Sequence, residues 1–299
     1  MKILLLGGNG QVGSELCRSL APLGEVVATT RSGMLEDGAR CEQADFDAPG
    51  SLPGLIERIA PDIVVNAAAH TAVDRAESEP DVAFRANAQA PQAIAEACAR
   101  GGIRLVHYST DYVFDGRGTR PYREDDPTAP ASIYGASKLA GEEAIRASGA
   151  SHLVLRTAWV YATHGSNFLR TMLRLAGERD ELRVVADQSG TPTSAALIAG
   201  VTAQMLVQQF VRSGTWHLTA TGATSWHGFA EAIMQGAHAR GLIARMPRVS
   251  PIATADYPTP ATRPAYSVLD CSALQRDFGI ALPTWQDGLS RMLDELAGL

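Results

Sequence analysis

In the stretch SIYGASKLAGE, residues 132–142, a phenol and an ammonium stand four residues apart, at Tyr134 and Lys138. On a helix that spacing places them one above the other on a single face. A phenol, with a pKa of about 10, is a poor acid at neutral pH, and a nearby ammonium favours its anionic form and lowers that value. The pair is either a tuned proton donor or a chance neighbourhood on a surface helix. A second segment gives it a context. HYSTDYVFDG, residues 107–116, runs out of an apolar strand into a loop, which leaves Ser109, Thr110, Asp111 and Tyr112 at the strand's carboxyl end. A hydroxyl such as Thr110 can hold a carbonyl oxygen while a phenol protonates it. Those groups suit a carbonyl that receives a hydride from a nicotinamide, with Tyr134 as proton donor and Thr110 as oxyanion support.

Such groups need a scaffold that brings a strand end and a helix face together. In the first half, short β-rich runs at residues 3–6, 25–30, 63–66, 105–109 and 153–157 alternate with amphipathic stretches at 12–23, 52–59, 82–100 and 134–147. The strand runs are apolar nearly throughout, as in parallel strands buried on both faces. The alternation predicts an α/β fold of the Rossmann type, a doubly wound parallel sheet with ligands at the carboxyl ends of its strands. GGNGQVG follows the first run and opens the first helix, so that Gly7, Gly10 and Gly13 form GxxGxxG around Gln11 and Val12. Glycines there permit a tight turn and let the backbone approach a pyrophosphate at the helix N-terminus. Without a ligand, the same string is a glycine-rich turn.

Further segments extend that site. Thr30 and Arg31 follow the second strand, where an acid commonly binds the ribose of NAD and an arginine suits a 2′-phosphate; the other reading of Arg31 is a solvated surface charge. Asp45 and Phe46 are suited to an adenine edge and face, or form a loop acid beside a buried ring. VNAAAHTAVD ends the third strand with small residues, and Ala69, His70 and Thr71 would line a flat ligand there. His70 is as readily a histidine bonded within its loop, and Asn87 in the next helix reads as a structural hydrogen bond.

The first domain is expected over residues 1–160. Residues 161–299 form a smaller mixed α/β substrate domain, with some segments returning to the first sheet. Trp159 and Tyr161 follow the fifth strand and either stack on a base or sugar, or fill a core. DQSGTPTSA, residues 187–195, reads as a loop entering a capped helix, and Ser225 caps another. In YPTPATRPAYSVLD, residues 257–270, prolines keep the chain extended, and Arg263 either reaches a diphosphate or is an exposed loop charge.

The whole-chain properties agree with a small-molecule enzyme. The 299 residues carry a formal charge of −6, with no run of like charge to attract nucleic acid or an anionic membrane. The four cysteines are scattered without metal-binding spacing, which points to reduced thiols and a cytoplasmic setting. No stretch is long and apolar enough for a signal core or a membrane span.

The N-terminal GxxGxxG, the strand-end Thr110 and the Tyr-x-x-x-Lys helix resemble the extended short-chain dehydrogenase/reductases. The strings VNAAAHTAVDRAESEP, HYSTDYVFDG, YGASKLAGE, RTAWVY and YPTPATRPAYSVLD narrow the resemblance, over essentially the whole chain, to the dTDP-4-dehydrorhamnose reductase family. That resemblance implies reduction of the 4-keto group of dTDP-4-dehydro-L-rhamnose by NADPH or NADH, with Thr110, Tyr134 and Lys138 as catalytic trio. It assigns Gly10, Gln11, Val12, Arg31, Asp45, Phe46, Ala69, His70 and Thr71 to the cofactor, together with Tyr134 and Lys138. Thr110, Asp111 and Trp159 are assigned to the sugar nucleotide, with Tyr112, Tyr134 and Arg263 beside them. Arg31, in place of an acid, leans the preference to NADPH. Some relatives form a homodimer through glutamates that share a divalent ion such as Mg2+. Glu15 and Glu295 are the candidates here, with Ala196 where a third acid is expected.

Two alternatives share the fold. In sugar-nucleotide dehydratases the strand-end triplet reads Thr-Asp-Glu, whereas this chain has Thr110-Asp111-Tyr112, and dehydratases and epimerases return their cofactor unchanged. A regulatory subunit of methionine adenosyltransferase binds NADP and acts by association; the intact Thr/Tyr/Lys trio speaks against that role.

Overall fold

The computed structural model describes residues 1–208 and 212–299. Its strands are β1 (Lys2–Leu6), β2 (Glu25–Thr30), β3 (Glu42–Gln43), β4 (Ile63–Asn66), β5 (Arg104–Thr110), β6 (His152–Thr157), β7 (Val160–Tyr161), β8 (Glu181–Val185), β9 (Ser189–Gly190), β10 (Thr193–Ser194), β11 (Gly214–His217), β12 (Thr224–Ser225) and β13 (Arg248–Ile252). Its α-helices are α1 (Gln11–Leu20), α2 (Leu52–Ile59), α3 (Val73–Ser78), α4 (Pro80–Phe84), α5 (Ala90–Gly101), α6 (Ile133–Ala147), α7 (Phe168–Glu178), α8 (Ala195–Val207), α9 (Trp226–Ala239), α10 (Ser272–Phe278) and α11 (Trp285–Ala297).

Among the described residues, seven strands form one parallel sheet in the order β11-β6-β5-β4-β1-β2-β3. The fold is the doubly wound α/β arrangement that the strand–helix alternation predicts. Chain order reverses between β1 and β4, and a crevice opens there at the carboxyl ends of the strands. Leu6 pairs with Asn66, Asn66 with His107, and Thr110 with Thr157, so the ends of four adjacent strands face one space.

Alternate residues of each central strand serve two different cores. Ile3, Leu5, Val65, Val106 and Leu155 pack with Leu16 of α1 and Ile198 and Met205 of α8. Leu4, Leu6, Val64, Leu105 and Val154 pack with Leu52 of α2, Ile94 of α5 and Ile145 of α6. Both sheet faces are therefore covered, which is why the strands read as continuous apolar runs. Each such side chain contributes about 1.5–3 kcal/mol on burial. A separate core joins α7, α9 and α11 through Leu169, Met172, Phe229, Ile233, Trp285 and Leu289. Tyr161 is 1% exposed within that cluster, so it is a core aromatic and not a wall of the crevice.

The helix expected over residues 82–100 runs unbroken from Pro80 to Gly101, but it is not α-helical throughout. Pro91 has no N–H to offer the carbonyl four residues back, that of Asn87. The chain widens there into a π turn over Arg85–Gln89, where Ala90 N donates to Arg85 O, before α5 resumes. The widened turn meets α6 at Gly141, where a Cβ would lie 2.1 Å from Asn87 O. The small residue in YGASKLAGE thus lets α6 close onto the π turn.

Candidate active site

The site begins where β1 ends. Gly7 adopts φ +89°, and the amides of Gly7 and Gly8 donate to Thr29 O at 3.2 and 2.8 Å. Gly10 N turns back to Gly7 O at 3.0 Å, and α1 starts at Gln11 with no side-chain oxygen capping its first amides. A Cβ on Gly13 would stand 2.0 Å from Gly7 O, so only glycine lets the helix pack this tightly on the turn. The open helix N-terminus suits an anion, and Gly7, Gly10, Gln11 and Val12 line the main crevice, of about 600 Å³. These residues fit the pyrophosphate of a dinucleotide.

An adjoining cleft of about 280 Å³ is lined by Thr30, Arg31, Phe46, Ala69, His70, Thr71 and Arg75. Thr30 is buried, and its hydroxyl accepts from Met34 N at 3.1 Å, whereas Arg31 is exposed at the mouth. Asp45 does not line the cleft; its carboxylate accepts from Asp47 N at 2.9 Å and closes its own turn. Asn87 is fully buried, accepting from His70 N at 2.8 Å and donating to His70 O at 3.0 Å and to Ser137 Oγ at 3.0 Å. One amide therefore fixes both the His70 backbone and α6. The His70 ring keeps Nδ1 buried without a hydrogen-bond partner.

On the other wall, Ser132 caps α6 by accepting from Gly135 N at 3.1 Å, and the helix presents Tyr134 and Lys138 to the crevice. Thr110, at the end of β5, is 5% exposed and lines the same space. Its hydroxyl donates to Asp111 Oδ1 at 3.0 Å and accepts from Tyr112 N at 3.2 Å. Lys138 is 2% exposed, and its ammonium donates to Tyr108 O at 2.6 Å and lies 3.4 Å from His107 Nε2. Burial lowers the Lys138 pKa to about 8 while the Glu142 carboxylate opposes the fall.

The phenol departs from the sequence expectation. Burial pushes the Tyr134 pKa up to about 12, with the Asp111 charge adding to the rise and the Thr110 hydroxyl opposing it. The spacing predicts a lowered value, but desolvation of the phenolate dominates. Burial likewise raises Asp111 to about 6, with the Ser267 and Thr110 hydroxyls opposing, and its Oδ2 has no hydrogen-bond partner. His107 is buried with Nδ1 3.0 Å from Asn66 Nδ2; burial first, and the Lys138 charge second, hold its pKa well below the ordinary value.

Farther along the crevice, Trp159 lines it and stacks on Trp226 with centroids 3.5 Å apart and planes 4° apart. Trp159 has φ +48°, a strained backbone for a bulky residue and one found at functional sites. Tyr112 packs edge-on against Tyr134 at 5.5 Å. Arg263 is not in the crevice wall: it donates to Asp74 Oδ2 at 2.8 Å, with Nη1 buried and unpartnered. Neither Glu15 nor Glu295 lines the crevice. Glu15 accepts from Arg18 at 2.6 Å and Glu295 from Thr163 at 3.0 Å. Among the described residues, no group of three or more His, Cys, Asp or Glu could hold a metal ion.

A family model described as the RmlD substrate binding domain matches residues 1–297. The chain belongs to this family. It is 50% identical to the dTDP-4-dehydrorhamnose reductase of Burkholderia thailandensis, over 96% of each chain. It is 46% identical to that of Escherichia coli (strain K12), over 99% of this chain and 98% of the relative. Among solved structures, a dTDP-4-dehydrorhamnose reductase from Clostridium acetobutylicum superposes with a TM-score of 0.90 at 37% identity, covering 99% of both chains. That of Bacillus anthracis, solved in complex with NADP, gives 0.88 at 34%, covering 98% of this chain and 99% of that one.

Within this member of the RmlD family, sequence reasoning missed three residues of the site. Trp226 reads only as a helix start and His107 as part of a buried strand, and Arg75 draws no assignment at all. Tertiary packing brings each to the crevice or beside it, and no local spacing signals it. Among the described residues, no helix is long and apolar enough to cross a membrane.

Proposed function

We propose that the chain is an NAD(P)H-dependent oxidoreductase that reduces the 4-keto group of dTDP-4-dehydro-L-rhamnose to give dTDP-L-rhamnose. The observation that carries this reading is the convergence of Thr110, Tyr134 and Lys138 on one crevice with the glycine turn of α1. The relatives of known name at 46–50% identity supply the substrate. A reduced nicotinamide bound there supplies the hydride that reaches the carbonyl carbon. Gly7, Gly10, Gln11, Val12 and Gly13 hold its pyrophosphate, and Thr30, Arg31, Phe46, Ala69, His70 and Thr71 its adenosine half.

The chain's own residues handle the oxygen. Thr110 Oγ1 holds the carbonyl oxygen. Tyr134, whose raised pKa keeps it protonated at neutral pH, gives its proton to the alkoxide, which is the stronger base. Lys138 stabilises the phenolate left behind and holds the ribose. Tyr112, Asp111 and the Trp159/Trp226 stack bound the sugar-nucleotide end. Residues 1–160 serve mainly the cofactor and 161–299 mainly the substrate. Exposed Arg31 favours NADPH over NADH.

Stoichiometric NADPH oxidation on addition of dTDP-4-dehydrorhamnose tests the reading. Sugar turnover without net loss of NADPH would place the chain with the dehydratases or epimerases instead.

A further inference from the structure

The helix that carries Tyr134 and Lys138 has a third member on the same face, Glu142, at the next four-residue step. Glu142 is 0% exposed and is held by a two-pronged fork from β6. Arg156 Nε donates to its Oε1 at 2.9 Å and Arg156 Nη2 to its Oε2 at 2.7 Å. Arg146 of α6 adds a bond to Oε2 at 3.1 Å. Arg156 is itself 3% exposed and pairs in register with Ser109, the residue before Thr110. The fork therefore ties the catalytic helix to the sheet directly behind the catalytic strand end.

Stability alone is a poor reason for such a pair, because desolvating two charges offsets most of their attraction and apolar replacements commonly serve as well. Its surroundings suggest another task. Lys138 is faced by Tyr134 and Glu142 from α6 and by His107 and the Tyr108 carbonyl from β5, while Asn66 of β4 reaches it through His107. His107 and Tyr134 are neutral near pH 7, which leaves Glu142 as the opposite charge acting on the ammonium. Glu142 is in turn faced by Arg156 of β6, Arg146 of α6 and the Ser109 hydroxyl of β5. Burial works against its ionisation, but the Arg156 fork leads the interactions that hold its carboxyl below the usual range.

We propose that Glu142, clamped by Arg156, is a positioning residue that keeps Lys138 in its ammonium form beside Tyr134. The proposal rests on the reading of Tyr134 and Lys138 given above. Its sign follows from charge: without the carboxylate, the buried ammonium loses its proton at lower pH, and the alkaline fall of turnover moves toward neutrality.

The test is kcat against pH at saturating substrates, with thermal unfolding, for the parent, Glu142→Gln and the double variant Glu142→Leu/Arg156→Leu. The alkaline limb should shift down by about half a pH unit or more in Glu142→Gln, and by less but in the same direction in the leucine pair, which also removes the Arg156 charge. Glu142→Gln should also melt earlier, since Arg156 is left uncompensated, whereas the leucine pair should recover the melting temperature without restoring the limb. A folded leucine pair whose limb coincides with the parent's would overturn the proposal and leave Glu142 a packing residue. Should Glu142→Gln not fold, the leucine pair alone decides. Full turnover in Tyr134→Phe would instead sink the catalytic reading itself, a separate result from any movement of the limb.

Discussion

Replacing Arg31 with valine should erase most of the preference for NADPH while leaving the fold intact. Arg31 follows β2 and lines the cleft with Thr30 and Phe46, where the adenosine ribose of a dinucleotide lies in this fold. A charge-assisted bond from a guanidinium to a phosphate is worth about 1.5–3 kcal/mol. Arg31 is exposed, so solvent and salt trim that toward its lower limit. About 1.4 kcal/mol remains, a roughly tenfold advantage. The contact is remote from the chemistry, so its loss should appear in KM for NADPH and not in kcat. Arg75 lines the same cleft but is engaged with Glu79 at 2.8 Å, which limits its ability to substitute. As a surface change, Arg31→Val should move stability by no more than about 0.5 kcal/mol. Adding Thr30→Asp should reverse the preference, because a carboxylate repels the 2′-phosphate and accepts the free 2′-hydroxyl. The assay is the ratio of kcat/KM with NADPH and NADH, repeated at low and high salt. A parent that already prefers NADH, or a ratio unmoved by Arg31→Val, would refute this reasoning and leave Arg31 a surface charge.

Tyr134→Phe removes the proton donor and should lower kcat by about 10²–10⁴ with cofactor affinity nearly unchanged, as read by steady-state kinetics and cofactor titration. Lys138→Met should damage both quantities. Trp159→Ala should raise KM for the sugar nucleotide. Because Trp159 is only partly buried and stacks on Trp226, its loss should cost about 0.5–1.5 kcal/mol beyond its area, short of the ~3–5 kcal/mol of a buried tryptophan, as calorimetry would show.

The parts of this molecule that were legible in the sequence are those set by local chemistry. A strand buried on both faces needs a continuous apolar run, and β1, β2, β4, β5 and β6 appear as such. The glycine turn is legible because Gly13 faces Gly7 O within one βα unit. Thr110, Tyr134 and Lys138 are legible because a strand end and a four-residue helix step fix their directions. What depended on distant packing was not. The two-residue β3 and the four-residue β11 are too short to show a period, and β11 finds its place only by pairing with β6. The π turn after Phe84 required weighing Pro91 against an otherwise helical pattern. The direction of the Tyr134 pKa shift turned on how deeply packing of distant elements buries the phenol, which the helix spacing does not show. Trp226 joins Trp159 across 67 positions of sequence, and no spacing rule spans that distance.

On the function proposed above, the crevice between the α1 turn and α6 passes a hydride to a sugar-nucleotide carbonyl and Tyr134 protonates the oxygen. The most direct measurement supplies dTDP-4-dehydrorhamnose and NADPH carrying deuterium at the transferred position of the nicotinamide, and locates the label in the product. One deuterium, bound to C4 of the sugar, is expected for each NADPH oxidised, with loss of labelled product in Tyr134→Phe. Product without deuterium, or with the label at a carbon other than C4, would contradict the proposed function.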